Sequence, residues 1–165
     1  MGAGVLPVAL YKKKLYFLLG KENEYNDQGW SDFGGGRENN ESDFETAIRE
    51  GYEELNGFLG TKKAMKKMLE SKLITTVNEQ YYTSYLVKVE YDDKLPFYFN
   101  NHFKFIKNNL NHLIKDNNGM FEKQKIKWFT IDELKNEKNY RSYYIKLIIA
   151  ILKKTDMILH IMNNI

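Results

Sequence analysis

Three glutamates at helical spacing are the residues of this sequence best suited to chemistry. Glu50, Glu53 and Glu54 stand at positions i, i+3 and i+4, so a helix would gather their carboxylates on one edge. Like charges at this spacing repel, and the surrounding segment offers only Arg49 as a local cation. The pattern therefore has two interpretations: a solvated acidic face, or a site for a divalent cation such as Mg²⁺ or Mn²⁺, which prefers oxygen ligands.

A run of glycines precedes these glutamates. Gly34, Gly35 and Gly36 carry no side chains, so their backbone can approach a phosphate closely and can direct a carbonyl oxygen at a metal. An acidic helix beside such a segment suits a bound cation that carries a phosphate. The glycines thus favour the metal-site interpretation.

Residues 35–57 resemble the Nudix box, the pattern G-x5-E-x7-R-E-U-x-E-E-x-G-U of the Nudix hydrolase family. The matching residues are Gly35, Glu41, Arg49, Glu50, Glu53 and Glu54. Three positions depart from the box, because Gly51 and Gly57 replace aliphatic residues and Asn56 replaces a glycine. None of these departures removes a carboxylate, so we expect a competent site on a slightly looser helix.

The resemblance implies a fold and a reaction. The implied fold is α/β, a Nudix-type α/β/α sandwich around a mixed sheet, here with inserted helices and a long C-terminal helix. The implied reaction is hydrolysis of a nucleoside diphosphate linked to another moiety, by in-line displacement at phosphorus with Mg²⁺ or Mn²⁺. Glu50, Glu53, Glu54 and the backbone carbonyl of Gly34 would be the metal ligands, with Glu50 and Glu53 also counted as catalytic.

Two further groups would complete the site. The resemblance implies that Arg49, itself counted among the catalytic residues, pairs with Glu41 and orients the glutamates; an ordinary surface ion pair is the alternative. The family often takes another carboxylate from a loop outside the box, and Glu122 is the candidate, as general base or metal ligand. Glu79 is the weaker candidate, and a loop glutamate paired with a neighbouring lysine is the other interpretation of Glu122.

Candidate substrate contacts lie around the glycines. The backbone of Gly35 and Gly36 and the guanidinium of Arg37 are placed to contact a phosphate. Four aromatic residues near the expected cleft could stack on a nucleobase or belong to the core. They are Tyr25, Trp30, Phe33 and Tyr82.

The helix that must carry the glutamates is the best defined element of the sequence. Apolar residues recur at helical spacing from Phe44 to Leu55. Ser42 and Glu45 form an S-x-x-E capping box at its start, and Asn56 with Gly57 supplies a left-handed stop. We predict a helix from Ser42 to about Asn56.

The remaining elements are predicted from shorter patterns. Residues 22–31 are expected to form a loop, and residues 32–36 to break any regular element. His102 and His112 fall outside the apolar stripe of their helix and are expected to face solvent. The predicted strands are 3–11, 14–20, 73–77, 81–91 and 125–129, and the other predicted helices are 61–69, 97–114 and about 141–160.

Composition bounds the class of protein. The 165 residues carry a net charge of +3, are 42% hydrophobic and include no cysteine, which fits one domain over residues 1–165 and excludes disulfides, thiolate zinc sites and cysteine nucleophiles. No segment approaches the ~20 apolar residues of a membrane span, so we expect a soluble, cytoplasmic protein without a membrane partner.

Charge is unevenly distributed and leaves the substrate open. Residues 1–60 hold 6 basic and 11 acidic residues, whereas residues 61–165 hold 19 basic and 11 acidic ones. The lysines of residues 62–67 could form a track for capped RNA or a solvated helix face. The sequence is also loosely similar to Nudix proteins of large DNA viruses, some of which decap mRNA.

Three functions therefore remain, and the first is favoured. It is a metal-dependent pyrophosphohydrolase of nucleotides or nucleotide derivatives. The second is an RNA 5′-pyrophosphohydrolase or mRNA-decapping enzyme, and the third is a non-catalytic Nudix-fold binding module, which the intact glutamates disfavour. The moiety on the diphosphate, the preferred metal and the oligomeric state stay open.

Overall fold

The described residues form one mixed β-sheet between two layers of helices. The computed structural model describes residues 1–23, 28–115 and 119–165. Its strands are β1 (Gly2–Tyr11), β2 (Lys14–Glu22), β3 (Trp30–Ser31), β4 (Phe33–Gly36), β5 (Leu73–Glu79), β6 (Tyr82–Lys88) and β7 (Lys123–Thr130). Its helices are α1 (Asp43–Glu54), α2 (Lys62–Lys72), α3 (Leu95–Asn109), α4 (His112–Lys115), α5 (Ile131–Asn136), α6 (Tyr144–Lys153) and α7 (Thr155–Met162).

Strand β1 is the centre of this sheet. It pairs antiparallel with β2 and β4 and parallel with β6, and the sheet extends through β2 to β3 and β7 and through β6 to β5. The first eight residues of β1 are buried, as expected for a strand covered on both faces. The parallel β1–β6 pair among antiparallel ones makes the sheet mixed, as predicted.

Two cores flank the sheet and establish the three-layer architecture. On one face, Leu6 and Val8 of β1 belong to a cluster with Leu147 of α6 and Ile158 of α7. On the other face, Val5 belongs to a cluster whose helical members come from α1, α2 and α3. The expected Nudix-type α/β/α sandwich is therefore confirmed. None of the helices in the described ranges is long and apolar enough to cross a bilayer.

The glycine segment is a strand, contrary to the prediction that residues 32–36 break regular structure. Gly34 lies opposite Gly4 of β1, and Gly35 lies opposite Ala3. A Cβ atom on Gly4 or Gly34 would lie 2.3 or 2.0 Å from the Tyr82 hydroxyl, so both glycines make room for that side chain. The loop predicted over 22–31 is also shortened, because β2 reaches Glu22 and β3 begins at Trp30.

The two long helices predicted after residue 96 are each interrupted. Residues 97–114 divide into α3 and α4, with Leu110 leaving helical geometry at φ −134° and ψ 40°. The C-terminal segment divides into α6 and α7 at Lys154, whose N–H donates to Ile151 O at 2.9 Å, an i→i−3 bond that tightens the turn. Helix α5 was not predicted, although Thr130 and Glu133 form its capping box.

His102 is half-buried, contrary to the expectation that it faces solvent. Its ring lies between those of Phe58 and Phe121, with centroids 5.6 and 5.7 Å away. His112 is exposed, as expected. The difference arises because residues 58 and 121 come from loops that cover α3, and no local pattern in the sequence predicts that cover.

The contact between Tyr82 and the glycine pair generates a stability prediction. Gly34→Ala should lower the free energy of unfolding by roughly 1–3 kcal/mol, because the new methyl group must displace Tyr82 or separate β1 from β4. Gly36→Ala is the matched control, since nothing lies within 4 Å of a Cβ there. Urea unfolding of both variants measures the difference, and equal stability would contradict this role for the glycine.

Candidate active site

Helix α1 carries the three box glutamates, and it begins where its sequence predicts. The Ser42 side chain accepts the Glu45 N–H, and the Glu45 carboxylate accepts the Ser42 N–H, which completes the capping box. Asn56 and Gly57 beyond the helix adopt positive φ angles of 50° and 72°. Capping at both ends therefore fixes the length and rotation of the helix that presents the glutamates.

The three glutamates point to two different sets of partners. Arg49 Nη1 donates to Glu50 Oε1 at 2.7 Å and to Glu53 Oε2 at 3.4 Å. Glu54 instead accepts the Gly34 N–H at 2.6 Å, and its other oxygen lies 3.3 Å from Lys123 Nζ. The shared edge predicted from spacing is thus divided into an Arg49 side and a Lys123 side.

Arg49 and Glu41 form the ion pair that the resemblance implies. The guanidinium donates to both oxygens of Glu41, at 2.8 and 2.9 Å, and also to Gly36 O at 3.0 Å. Hydrogen bonds from Arg49 hold the pKa of Glu41 down at about 2. One planar cation therefore links the preceding loop, the glycine strand and two box glutamates, as expected of a bidentate arginine.

The glycine strand lies directly against the carboxylates. A Cβ atom on Gly35 would lie 2.6 Å from Glu50 Oε1, so this position admits no side chain while Glu50 keeps its place. Burial raises the pKa of Glu50, although Arg49 opposes that effect. The Gly35 backbone therefore lies close to the Glu50 carboxylate, and its predicted contact with a phosphate stays a prediction.

The Glu122 carboxylate lies close to the carboxylates of Glu54 and Glu22. Carboxylate oxygens of Glu22, Glu54 and Glu122 lie within 4.8 Å of one another, an all-oxygen donor set that suits a hard divalent cation. Glu79, the weaker candidate, ends β5 and lines a separate cavity with Lys146, Lys153 and Lys154.

Sequence reasoning missed Glu22, which was assigned to a loop. It ends β2 directly opposite Lys123 of β7. A pairing between segments 101 positions apart leaves no local pattern, so spacing along the chain could not have identified this residue.

Asn56, which replaces a glycine of the box, holds the loop that carries Glu122. The Asn56 side-chain oxygen accepts the Phe121 N–H at 2.9 Å, so Asn56 joins the end of α1 to the residue before Glu122. Gly119 of the same loop lies against Glu53, with a virtual Cβ 2.5 Å from Glu53 Oε2. The end of the loop is thereby fixed to the helix that carries the box glutamates.

Lys123 is a fully buried cation within the acidic group. Its Nζ bonds to Glu22, donates to Ser31 Oγ at 3.0 Å and lies 3.3 Å from Glu54 Oε1. Burial alone would lower the pKa of Lys123, but Glu54 and Glu22 outweigh it and the pKa is raised. Burial raises the pKa of Glu54, which Lys123 opposes. We conclude that Lys123 is protonated in this site.

A cavity opens beside the glycine strand, in the region of the expected cleft, but the contribution of Arg141 and Tyr143 to its lining was not predicted. Its volume is about 280 Å³, and Arg141 connects it to the acidic group, because Arg141 Nη1 donates to Glu22 Oε1 at 3.0 Å. The Arg141 guanidinium also lies 5.1 Å from the centre of the Tyr143 ring. The lining residues are Met1, Gly2, Gly34, Gly35, Gly36, Tyr81, Tyr82, Arg141 and Tyr143.

Two of the predicted substrate contacts are core residues. Trp30 is 6% exposed and packs edge-on against Phe129, and Phe33 is fully buried, so neither offers a face to a nucleobase and that interpretation is corrected. Arg37 forms an ion pair with Asp43 in the first turn of α1. Tyr82 lines the cavity, and Tyr25 lies outside the described residues.

Directly before the glycine strand lies a buried carboxylate, Asp32. It accepts hydrogen bonds from the hydroxyls of Tyr82 at 2.7 Å and Ser84 at 2.6 Å. Burial raises the pKa of Asp32 from 3.8 to about 6, although these two hydroxyls lower it. The Tyr82 hydroxyl, which occupies the space beside Gly4 and Gly34, is therefore also hydrogen-bonded to Asp32.

Comparison with known proteins identifies similar sequences and structures. The chain matches the NUDIX domain over residues 2–148. No curated protein sequence matches it. A C. elegans Ap4A hydrolase, solved as a binary complex, is 19% identical over 97% of this chain and 98% of its own, with a TM-score of 0.59.

Two further structures share the fold at lower coverage of their own chains. A Francisella tularensis bifunctional NMN adenylyltransferase/ADP ribose pyrophosphatase, complexed with AMP and a Mn ion, is 18% identical over 93% of this chain and 40% of its own (TM-score 0.57). The NUDIX domain of Shewanella oneidensis NrtR, complexed with ADP ribose, is 12% identical over 93% and 86% (TM-score 0.52).

The raised pKa of Asp32 generates a prediction for stability against pH. The native state binds this proton more tightly than the unfolded state, so the stabilisation is full below pH 3.8 and is lost as the pH rises through about 6. A difference of that size corresponds to roughly 3 kcal/mol. The stability of wild type relative to Asp32→Asn should therefore fall between pH 4 and pH 7.

Chemical unfolding at several pH values measures this difference. Asp132→Asn, at an exposed aspartate in the first turn of α5, is the control for loss of one carboxylate. A wild-type advantage over Asp32→Asn that stays constant across the range would refute the prediction.

Proposed function

The chain belongs to the Nudix family, and from this premise we propose that it is a metal-dependent pyrophosphohydrolase of nucleotide derivatives. Family membership makes it a hydrolase of phosphoric anhydrides. The proposal that the substrate is a nucleotide derivative rests on one observation: the acidic site adjoins a cavity. Arg141 bonds to Glu22 of the acidic group and also lines the cavity beside Gly34–Gly36.

The donor set supports a divalent cation. Carboxylate oxygens of Glu22, Glu54 and Glu122 lie within 4.8 Å of one another, and Glu50 and Glu53 lie on the neighbouring Arg49 side of α1. Such oxygen ligands fit Mg²⁺ or Mn²⁺. When bound, either ion would neutralise the diphosphate and make a nearby water more acidic.

Residues of the chain supply position and charge. Arg49 holds Glu50 and Glu53 in place, and Glu41 holds Arg49 through two hydrogen bonds. We assign Glu50, Glu53 and Glu54, with the carbonyl of Gly34, to metal binding. Glu122 is assigned to metal binding or to accepting the proton of the attacking water, for which a carboxylate at this position is suited.

The cavity suits a nucleotide. It offers the backbone of Gly35 and Gly36, one guanidinium and the rings of Tyr82 and Tyr143. A guanidinium binds phosphate through paired hydrogen bonds, and tyrosine rings can stack on a base. The Francisella neighbour was solved with AMP and a Mn ion, which is the combination proposed here.

A second candidate substrate is the 5′ end of a capped RNA. Helix α2 packs beside α1, and Lys62 Nζ donates to Glu53 Oε1 at 3.0 Å, so the lysine face of α2 borders the box glutamates. Lys63 and Lys67 on this helix are exposed. An RNA chain leaving the site could lie along that face.

Removal of one box carboxylate tests the proposed reaction. Glu53→Gln should lower kcat by roughly 100-fold or more at saturating Mg²⁺, because it removes a charge that neighbours the reacting phosphate. Release of products from Ap4A and ADP ribose measures the rate. Glu70→Gln, an exposed glutamate of α2, is the matched control and should keep wild-type rates.

The outcome also separates an enzyme from a binding module. Equal rates for wild type and Glu53→Gln would remove the assigned site. Tight binding of these nucleotides by wild type without turnover would instead support a non-catalytic module.

Paired substrates distinguish RNA from small nucleotides. If RNA is the substrate, capped RNA is cleaved far faster than the free cap dinucleotide, and the rate falls steeply with salt. Lys63→Gln/Lys67→Gln should then slow capped-RNA cleavage several-fold and leave Ap4A cleavage unchanged. Indifference to RNA length and to these lysines would exclude the RNA alternative.

A further inference from the structure

Lys123 is a cation enclosed within a group of metal-type ligands. Its side chain is fully buried, and its Nζ contacts Glu22, Glu54 and the hydroxyl of Ser31. A buried ammonium is stable only when carboxylates and hydrogen-bond acceptors surround it. Lys123 can therefore be buried at this position only because these acceptors surround its ammonium.

Strand pairing and a glycine together create the space that the Lys123 side chain occupies. Strand β7 sets Lys123 opposite Glu22 of β2, and Gly20 of β2 makes room for the aliphatic stem. A Cβ atom at Gly20 would lie 2.9 Å from Lys123 Cγ and Cδ. Lys123 is thus an intrinsic part of the sheet, and its ammonium reaches Glu54 of α1.

The Lys123 ammonium occupies carboxylate oxygens of Glu22 and Glu54 that could otherwise bind a metal ion. The two oxygens of Glu54 are directed at different donors, the Gly34 N–H and Lys123 Nζ. Glu22 Oε1 receives both Lys123 and Arg141. A divalent ion held between Glu22 and Glu54 would lie close to this ammonium and be repelled by it.

We propose that Lys123 is a resident cation that substitutes for one divalent ion between Glu22 and Glu54. It neutralises Glu22 and the facing oxygen of Glu54 in the absence of metal, and metal binding falls to Glu50, Glu53, Glu122 and the Gly34-facing oxygen of Glu54. Lys123 is a positioning residue in this scheme, because it acts through the carboxylates. The inference rests on the proposed metal-dependent function and adds a limit on how many ions the site holds.

Direct Mn²⁺ binding to the full chain tests this role. Lys123→Met keeps the stem and removes the charge, so it should bind one more Mn²⁺ per chain than wild type, or bind Mn²⁺ roughly tenfold more tightly. Electron paramagnetic resonance of free Mn²⁺ counts the bound ions. Lys127→Met is the matched control: Lys127 is on the same strand but pairs with Glu133, so this variant should match wild type.

Thermal unfolding gives a second readout that does not depend on activity. In EDTA, Lys123→Met should unfold at a lower temperature than wild type, because Glu22 and Glu54 lose a buried partner. Saturating Mn²⁺ should raise its Tm by more degrees than it raises that of wild type. An unchanged ion count and an equal Mn²⁺-induced Tm shift would overturn the proposal and leave Lys123 a purely structural residue.

A charge-balanced pair keeps the test valid if Lys123→Met does not fold. Glu22→Gln/Lys123→Gln removes one charge of each sign, and it should bind Mn²⁺ more tightly than Glu22→Gln alone, which keeps the ammonium. Equal affinities would overturn the proposal. Failure of wild type itself to bind Mn²⁺ would count against the proposed function and is distinct from either result.

Discussion

Burial of negative charge is the constraint on which this structure depends. Glu22, Glu50 and Glu54 are each under 10% exposed, and a carboxylate in that environment needs a cation or hydrogen-bond donors. Arg49 serves Glu50 and Glu53 from within α1, whereas Lys123 serves Glu22 and Glu54 from β7. The site is thus assembled with its charges largely matched, and the proposed nucleotide and metal would enter a region whose carboxylates already have partners.

The same constraint explains why glycine recurs around the site. Gly35 allows the Glu50 carboxylate to lie against the backbone, Gly20 admits the stem of Lys123, and Gly34 admits the Tyr82 hydroxyl while its N–H reaches Glu54. In each case a side chain needed for charge or packing occupies the space of the missing Cβ. Close packing of polar groups, more than backbone flexibility, is therefore what these glycines provide. The extended strand conformation of Gly34 and Gly35 follows from pairing with β1.

The sequence predicted those features of the structure that depend on interactions between residues close together in the chain. Capping residues and helical periodicity were sufficient to predict α1, and the family resemblance implied the Arg49–Glu41 pair. Pairing across the sheet brings Glu22 to Lys123, and packing of α6 and its preceding loop brings Arg141 to the cavity. Such contacts join distant segments and leave no periodic pattern. The sequence left open whether Trp30 and Phe33 contact a base or belong to the core for the same reason, because covering segments decide whether an aromatic ring is exposed.

Asn56 illustrates how a departure from the box can serve the site. A glycine there would supply the left-handed turn but no side chain, whereas Asn56 adopts φ 50° and also accepts the Phe121 N–H. Phe121 precedes Glu122, and Glu122 precedes Lys123, so one hydrogen bond positions both an acidic ligand candidate and the buried cation. The strain of a left-handed asparagine is small, and the gain is a fixed link between α1 and β7. This link joins the part of the acidic site on α1 to the part that carries Glu122 and Lys123.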